Sequence, residues 1–198
     1  MNDSYQEYIN FANTLADAAS VISMQYFRKP LNIDNKNDES PVTIADKNTE
    51  LKIRSMIENK YPNHGILGEE FDNINPNAEF IWVIDPIDGT RSYIAGHKDF
   101  GNLISLTQNK KPIIGIINCP AHDERWVGMK NQNTTLNKQF TKCSKVKNVE
   151  DAYLFTSGLY FDEPHLRNAV DQITKKVRYY RYGGDCYMYG MVASGLID

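Results

Sequence analysis

Histidine and cysteine, the usual zinc ligands, are scarce in this chain. Cys119, Cys143 and Cys186 are odd in number and share no CxxC spacing, so neither a disulfide framework nor a thiolate zinc site is indicated. His64, His97, His122 and His165 are scattered, and each reads as a surface or hydrogen-bonded residue rather than a ligand. No apolar run approaches the roughly 20 residues of a membrane span. The opening MNDSYQEY has neither the basic nor the apolar region of a signal peptide. An excess of positive charge is also missing: a net charge of −3 argues against nucleic acid as the main partner. It suits a small anionic substrate only if metal ions offset the local carboxylates. No Gly/Pro/Ser-rich linker or repeat divides the chain, and Ser157-Gly158 lacks the G-x-S-x-G setting of a nucleophile elbow. A reducing cytoplasm fits this composition best.

What is present is an ordinary globular composition, 198 residues with 41% apolar and 24% charged, enough for one sizeable core or two small ones. The chain is organised around residues 81–91, IWVIDPIDGTR. Ile81, Trp82, Val83 and Ile84 form a continuous apolar run, the pattern of a strand covered on both faces. Asp85 follows, then Pro86, which cannot donate to a ladder and is expected to end the pairing. Asp88 comes next, and Gly89-Thr90 turns toward a helix start. Two carboxylates at a strand end, with backbone N–H groups just beyond, suit a hard cation and an anion together. An exposed Asp-rich turn would leave the same letters, so the surroundings must decide.

Before this centre, Tyr8, Phe11, Ala12, Leu15, Ala18, Ala19, Ile22 and Tyr26 recur at helical steps, predicting an amphipathic helix over 4–28. Asp3 or Ser4 would cap it, and Arg28-Lys29-Pro30 would stop it. The polar stretch 32–41 reads as a loop in which Lys36 is a solvated charge. A second helix is expected over 46–60, where Asp46 sits well for N-terminal capping. A short strand over 65–68 then leads directly into Glu69-Glu70. Adjacent acids usually mark a solvated surface, but these close an apolar segment as Asp85 and Asp88 do. If the two strands are neighbours, Glu69, Asp85 and Asp88 point at one spot, and such crowding raises carboxyl pKa values unless cations intervene. Oxygen ligands without His or thiolate indicate magnesium rather than zinc.

Beyond the centre, 101–107, 113–119 and 124–129 read as an antiparallel meander, with the first turn over 108–112. Residues 130–150 are polar and suggest an exposed hairpin. From 151 the pattern becomes α/β: a strand at 153–156, a helix at 163–175, a strand at 177–182, then Gly183-Gly184-Asp185 opening a helix that ends at Gly195. The glycine turn is either an anion seat or simply a tight turn. Cys186 reads as a small buried residue behind it. Tyr179, Tyr180, Tyr182, Tyr187 and Tyr189 could line a pocket, a subunit contact or a core.

Assembled, VTIAD (42–46), GEE (68–70), WVIDPIDGTR (82–91) and the glycine turn at 183–185 resemble, in order and spacing, the inositol monophosphatase superfamily of magnesium-dependent phosphomonoesterases. RYGGDCYMYGMVASG (181–195), with PIDGTRSYIAG, looks closest to its histidinol-phosphatase branch. The resemblance implies an α/β (α+β) chain with the layered α-β-α-β-α sugar-phosphatase fold, lacking its last strands and helix. A metal-binding α+β subdomain would occupy 1–147 and an incomplete α/β subdomain 148–198. By resemblance, Glu69, Asp85, the Ile87 carbonyl and Asp88 bind two or three magnesium ions. Asp46, Glu70 and Thr90 are the catalytic residues that support the metals and the attacking water. Asp88, Gly89, Thr90, Gly184, Asp185 and Cys186 would meet phosphate and substrate. A small phosphate ester is the implied partner, histidinol phosphate first, with inositol or another sugar phosphate as the alternative. Relatives are commonly dimers, so the resemblance suggests a homodimer. The family pattern continues past residue 198 with an aromatic-Asp motif that completes a metal site. A fragment of a working phosphatase and a natural short form without turnover are therefore both open.

Overall fold

Apolar residues at steps of three and four along the first segment make one stripe, which becomes the inner face of α1 (Asp3–Tyr26). The computed structural model describes residues 3–30, 33–35, 41–158 and 163–198. Phe11, Ala12, Leu15, Ala16 and Ala19 of α1 are buried. The helix stops short of the expected residue 28. Arg28 turns into the left-handed region (φ 58), and its Nε donates to the Gly96 carbonyl at 2.9 Å. The expected caps, Asp3 and Ser4, have side chains outside the described set.

β1 (Ile33–Asn35) pairs antiparallel with β2 (Pro41–Thr43), so the expected loop over 32–41 includes a small ladder; Lys36 lies outside the described residues. α2 (Ile44–Lys60) starts ahead of the expected residue 46. Thr43 is its N-cap, and Asp46, at the third helical position, closes a capping box. β3 (Gly65–Leu67) then runs parallel to β4 (Phe80–Asp88), with Leu67 opposite Val83.

After the short α3 (Thr90–Ile94) the chain folds back and forth through β5 (Gly101–Gln108), β6 (Lys111–Cys119), β7 (Glu124–Met129), β8 (Thr135–Leu136) and β9 (Gln139–Phe140). The result is a seven-stranded sheet in the order β3-β4-β5-β6-β7-β8-β9, antiparallel from β4 onward. The expected turn over 108–112 is tighter than that. Gln108 still faces Lys111, leaving Asn109 and Lys110, both with positive φ (50 and 64), as a two-residue connection of the hand that suits strand twist.

Two expectations for β4 need correction. Pro86 does not end the strand: pairing resumes at Asp88, opposite Gly101, after an irregularity between Asp85 and Asp88. The Nδ2 of buried Asn102 donates to the Pro86 carbonyl at 2.7 Å, so a side chain supplies what the ladder cannot. Nor is the apolar run covered throughout, since Val83 is 37% exposed while Ile81, Trp82 and Ile84 are buried. The main core joins α1 and α2 to one face of the sheet through Phe11, Leu15, Ile53, Ile57, Trp82 and Ile104. Each such side chain contributes about 1.5–3 kcal/mol by leaving water.

From residue 153 a third sheet, two-stranded and parallel, forms from β10 (Tyr153–Thr156) and β11 (Tyr179–Tyr182), with α4 (Pro164–Thr174) between them in the chain. α5 (Asp185–Ala193) then returns to the large sheet, and Cys186 packs with Cys119 and Trp126. This is a mixed α/β architecture. Among the described residues, no helix is long and apolar enough to cross a membrane.

Candidate active site

Parallel pairing sets the first pair of acids. With Leu67 opposite Val83, two further steps along each chain bring Glu69 to Asp85. The Glu69 and Asp85 carboxyls therefore crowd one another at the two strand ends. Burial, then the charges of Glu69 and Asp88, the Glu69 hydrogen bond and Asp46, hold the Asp85 carboxyl well above the usual carboxylate range. Its Oδ1 is buried without a hydrogen-bond partner.

Asp46 reaches the same place from the start of α2. Its Oδ2 accepts from the Thr43 hydroxyl at 2.6 Å and the Thr43 N–H at 2.8 Å. Burial raises its pKa, and the Thr43 hydrogen bonds oppose that. Thr90 lies 3.5 Å from Asp46 Oδ1, but the Ile87 carbonyl is nearer at 3.0 Å and takes the hydroxyl proton. The Asp46–Thr90 pairing is therefore loose here.

The irregularity in β4 lets Asp88 face α5, where its Oδ2 accepts from the Cys186 N–H at 2.7 Å. Burial pushes the Asp88 carboxyl up, the Cys186 hydrogen bonds pull it down, and Asp185 and Glu69 push it up again. Gly89 is required twice over. It holds φ 82, and a Cβ would lie 3.0 Å from both Asp185 and the Asp99 carbonyl. Gly184 caps α5 with φ 105, and Asp185 Oδ2 accepts from Ser92 Oγ at 2.5 Å. The Cys186 thiol lies between Cys119 and Asp88; the Cys119 hydrogen bond, burial and the Asp88 charge push it far up, so it stays a neutral thiol beside the backbone N–H that serves Asp88.

The structure thus gathers Asp46, Glu69, Asp85, Ile87, Asp88, Gly89, Thr90, Asp185 and Cys186 around one seam. Glu70 joins through its backbone, whose N–H donates to Glu50. Gly184 acts through the turn it permits. Among the described residues, no three His, Cys, Asp or Glu side chains already stand in a metal-holding arrangement. The donors nevertheless fit a hard cation: they are all oxygens, and the partnerless Asp85 Oδ1 is an acceptor that one would satisfy. The histidines stay outside. His64 accepts from Trp82 Nε1 at 3.2 Å, and His122 pairs with Asp99 at 2.8 Å.

Sequence reasoning missed Glu50, Arg54, Ser92 and Asn102. For the first two a signal existed: Glu50 follows Asp46 by one helical turn and Arg54 follows Glu50 by another, charges on a face shared with buried Ile53 and Ile57. Ser92 and Asn102 are polar residues whose partners lie far away in the chain, and no local pattern marks them.

The model of the inositol monophosphatase family matches residues 4–198. The chain belongs to that family. It is 40% identical over 188 residues to the bifunctional phosphatase IMPL2, chloroplastic, of Arabidopsis thaliana, covering 94% of this chain and 54% of that protein. The histidinol-phosphatase of Chlorobaculum parvum is 36% identical over 189 residues, covering 94% of this chain and 73% of that one. A solved inositol monophosphatase from Zymomonas mobilis superposes with a TM-score of 0.87 at 41% identity, covering 98% of this chain and 75% of that chain. The chain therefore spans about half the length of the first relative and about three quarters of the other two.

Proposed function

We propose that this chain is a magnesium-dependent phosphomonoesterase that hydrolyses a small phosphate ester, histidinol phosphate first, by attack of water. The observation that carries it is the buried, partnerless Asp85 Oδ1 among Glu69, Asp88 and Asp46. Glu69, Asp85, Asp88 and the Ile87 carbonyl, which has a second lone pair beside the one Thr90 uses, are the donors that would hold the ions. Bound divalent ions would supply a low-pKa water and neutralise the phosphoryl oxygens. Asp46, fixed through Oδ2, offers Oδ1 to orient that water together with Thr90, and Glu70 supports the same side. The Gly89–Thr90 backbone at the start of α3 suits the phosphate oxygens. Residues 1–147 supply the cation site, while Gly184, Asp185 and Cys186 from 148–198 form the substrate side. Asp185 is the carboxylate for the ammonium group of histidinol.

The names of relatives support this choice, since the Chlorobaculum parvum protein is a histidinol-phosphatase. The Zymomonas mobilis structure favours a second reading, inositol phosphate, at 41% identity. The test is magnesium-dependent phosphate release from histidinol phosphate, inositol phosphate and adenosine bisphosphate. Fastest release from histidinol phosphate is expected. Preference for inositol phosphate would replace the substrate, and no release from any of them with magnesium bound would make the chain a binding module.

A further inference from the structure

Glu50 is a carboxylate with 0% exposure, one turn beyond Asp46 on α2, and both of its oxygens face protein donors. Oε1 accepts from Arg54 Nε at 2.7 Å. Oε2 accepts from two backbone N–H groups, those of Glu69 at 3.0 Å and Glu70 at 2.9 Å. Arg54, 5% exposed, extends the grip: Nη1 donates to the Asp72 carbonyl and Nη2 to the Phe71 carbonyl, both at 2.9 Å. Gly68 passes so close that a Cβ would lie 1.9 Å from Glu50 Oε1, so the turn sits directly on this pair.

A guanidinium and two amides engage both oxygens of the Glu50 carboxylate, so its charge is spent on protein donors although it shares the Asp46 helix. The planar fork of Arg54 reaches two successive carbonyls at once, which a lysine cannot do. We infer that the Glu50–Arg54 pair is the template that shapes residues 68–72 and thereby delivers the Glu69 carboxylate to Asp85. Glu50 and Arg54 are positioning residues, and α2 is a common ruler that sets Asp46 directly and Glu69 indirectly. The consequence for cation affinity rests on the function proposed above; the shaping of the turn does not.

Two variants of the full chain test this. Glu50→Gln places an amide NH2 against N–H donors and strips Arg54 of its counter-charge. Arg54→Lys keeps the charge but loses the double reach, and remains folded if Glu50→Gln does not. In metal-free protein, the Glu69 and Glu70 amides should exchange hydrogen about tenfold faster in either folded variant, with the Ile104 amide unchanged. In the same variants, magnesium affinity by calorimetry should weaken about 10–100-fold, as for lost support of a ligand. Unchanged exchange at Glu69 and Glu70 in folded Arg54→Lys overturns the template. Faster exchange with magnesium affinity equal to that of the unsubstituted chain overturns the delivery of Glu69. If the unsubstituted chain takes up no magnesium, the proposed function fails by itself, and the exchange measurement still decides the template.

Discussion

The seven-stranded sheet ends β4 at the acidic seam and the small β10–β11 sheet leads through Gly183-Gly184 into α5 at the same place, yet the two sheets are consolidated in opposite ways. In the first, Trp82, Ile104, Leu106, Ile114 and Ile116 are buried, and two helices close one face. In the second, Tyr179, Tyr180 and Tyr182 are 54%, 52% and 46% exposed, and α4 has no buried residue. α5 follows β11 in the chain but packs with the large sheet. Trp126 Nε1 donates to Ser194 Oγ at 2.7 Å, and a Cβ on Gly190 would meet the Trp126 ring at 2.6 Å. Asp185 and Cys186, proposed above for the substrate side, are therefore carried by the better-packed region. Position along the chain and mechanical allegiance are different things here.

Four measurements would break or sharpen this contrast. The largest effect falls on the seam itself: Asp85→Asn should lower kcat by at least about 10²–10³-fold at saturating magnesium, a loss of pre-placed charge rather than of fold. Substantial turnover, or a collapsed far-ultraviolet dichroism spectrum, would contradict it. Next comes packing. Trp82→Ala should cost about 3–5 kcal/mol in urea unfolding, and Tyr180→Ala no more than about 0.5 kcal/mol. Equal losses would mean that both sheets share one core. At the α5 N-terminus, Asp185→Asn should weaken histidinol phosphate about tenfold or more through a lost charged partner, and inositol phosphate, which has no ammonium group, far less. Equal weakening of both would remove Asp185 from substrate choice.

The smallest effect concerns Asp198, whose side chain accepts from the Tyr153 N–H at 2.9 Å and from the Ser144 hydroxyl. These bonds lower its pKa in the folded chain. A depressed carboxyl stabilises above its unfolded value and loses that contribution as pH falls through the folded one. Protection of the Tyr153 amide should therefore decline as pH drops below the ordinary value of 3.8, and Asp198→Asn should abolish that pH dependence. Hydrogen exchange at Tyr153 reads both.

Much of this was visible in the letters because strands and helices differ in period. The three- and four-residue steps of α1 and the apolar runs of β3 and β4 located themselves. The acids that close two apolar segments point at one spot if those strands are neighbours, and the parallel pairing of β3 with β4 makes them so. The errors have local causes. Pro86 reads as a stop because only its missing N–H is legible, whereas Asn102, which serves the Pro86 carbonyl, comes from the next strand. Val83 reads as covered because hydropathy does not report which face a helix reaches. Glu50 and Arg54 go unremarked because two charges that neutralise one another inside look, in the sequence, like two charges facing water.

Asp46 leaves one further consequence. One of its oxygens starts a helix by holding Thr43, and the other looks toward Thr90 and the acids. Under the proposed function, selection for folding and selection for turnover would act on a single carboxylate. A change at position 46 would weaken the helix start by about 0.5–2 kcal/mol whatever became of the chemistry, so a lineage that had abandoned catalysis would still feel a pull to keep this aspartate.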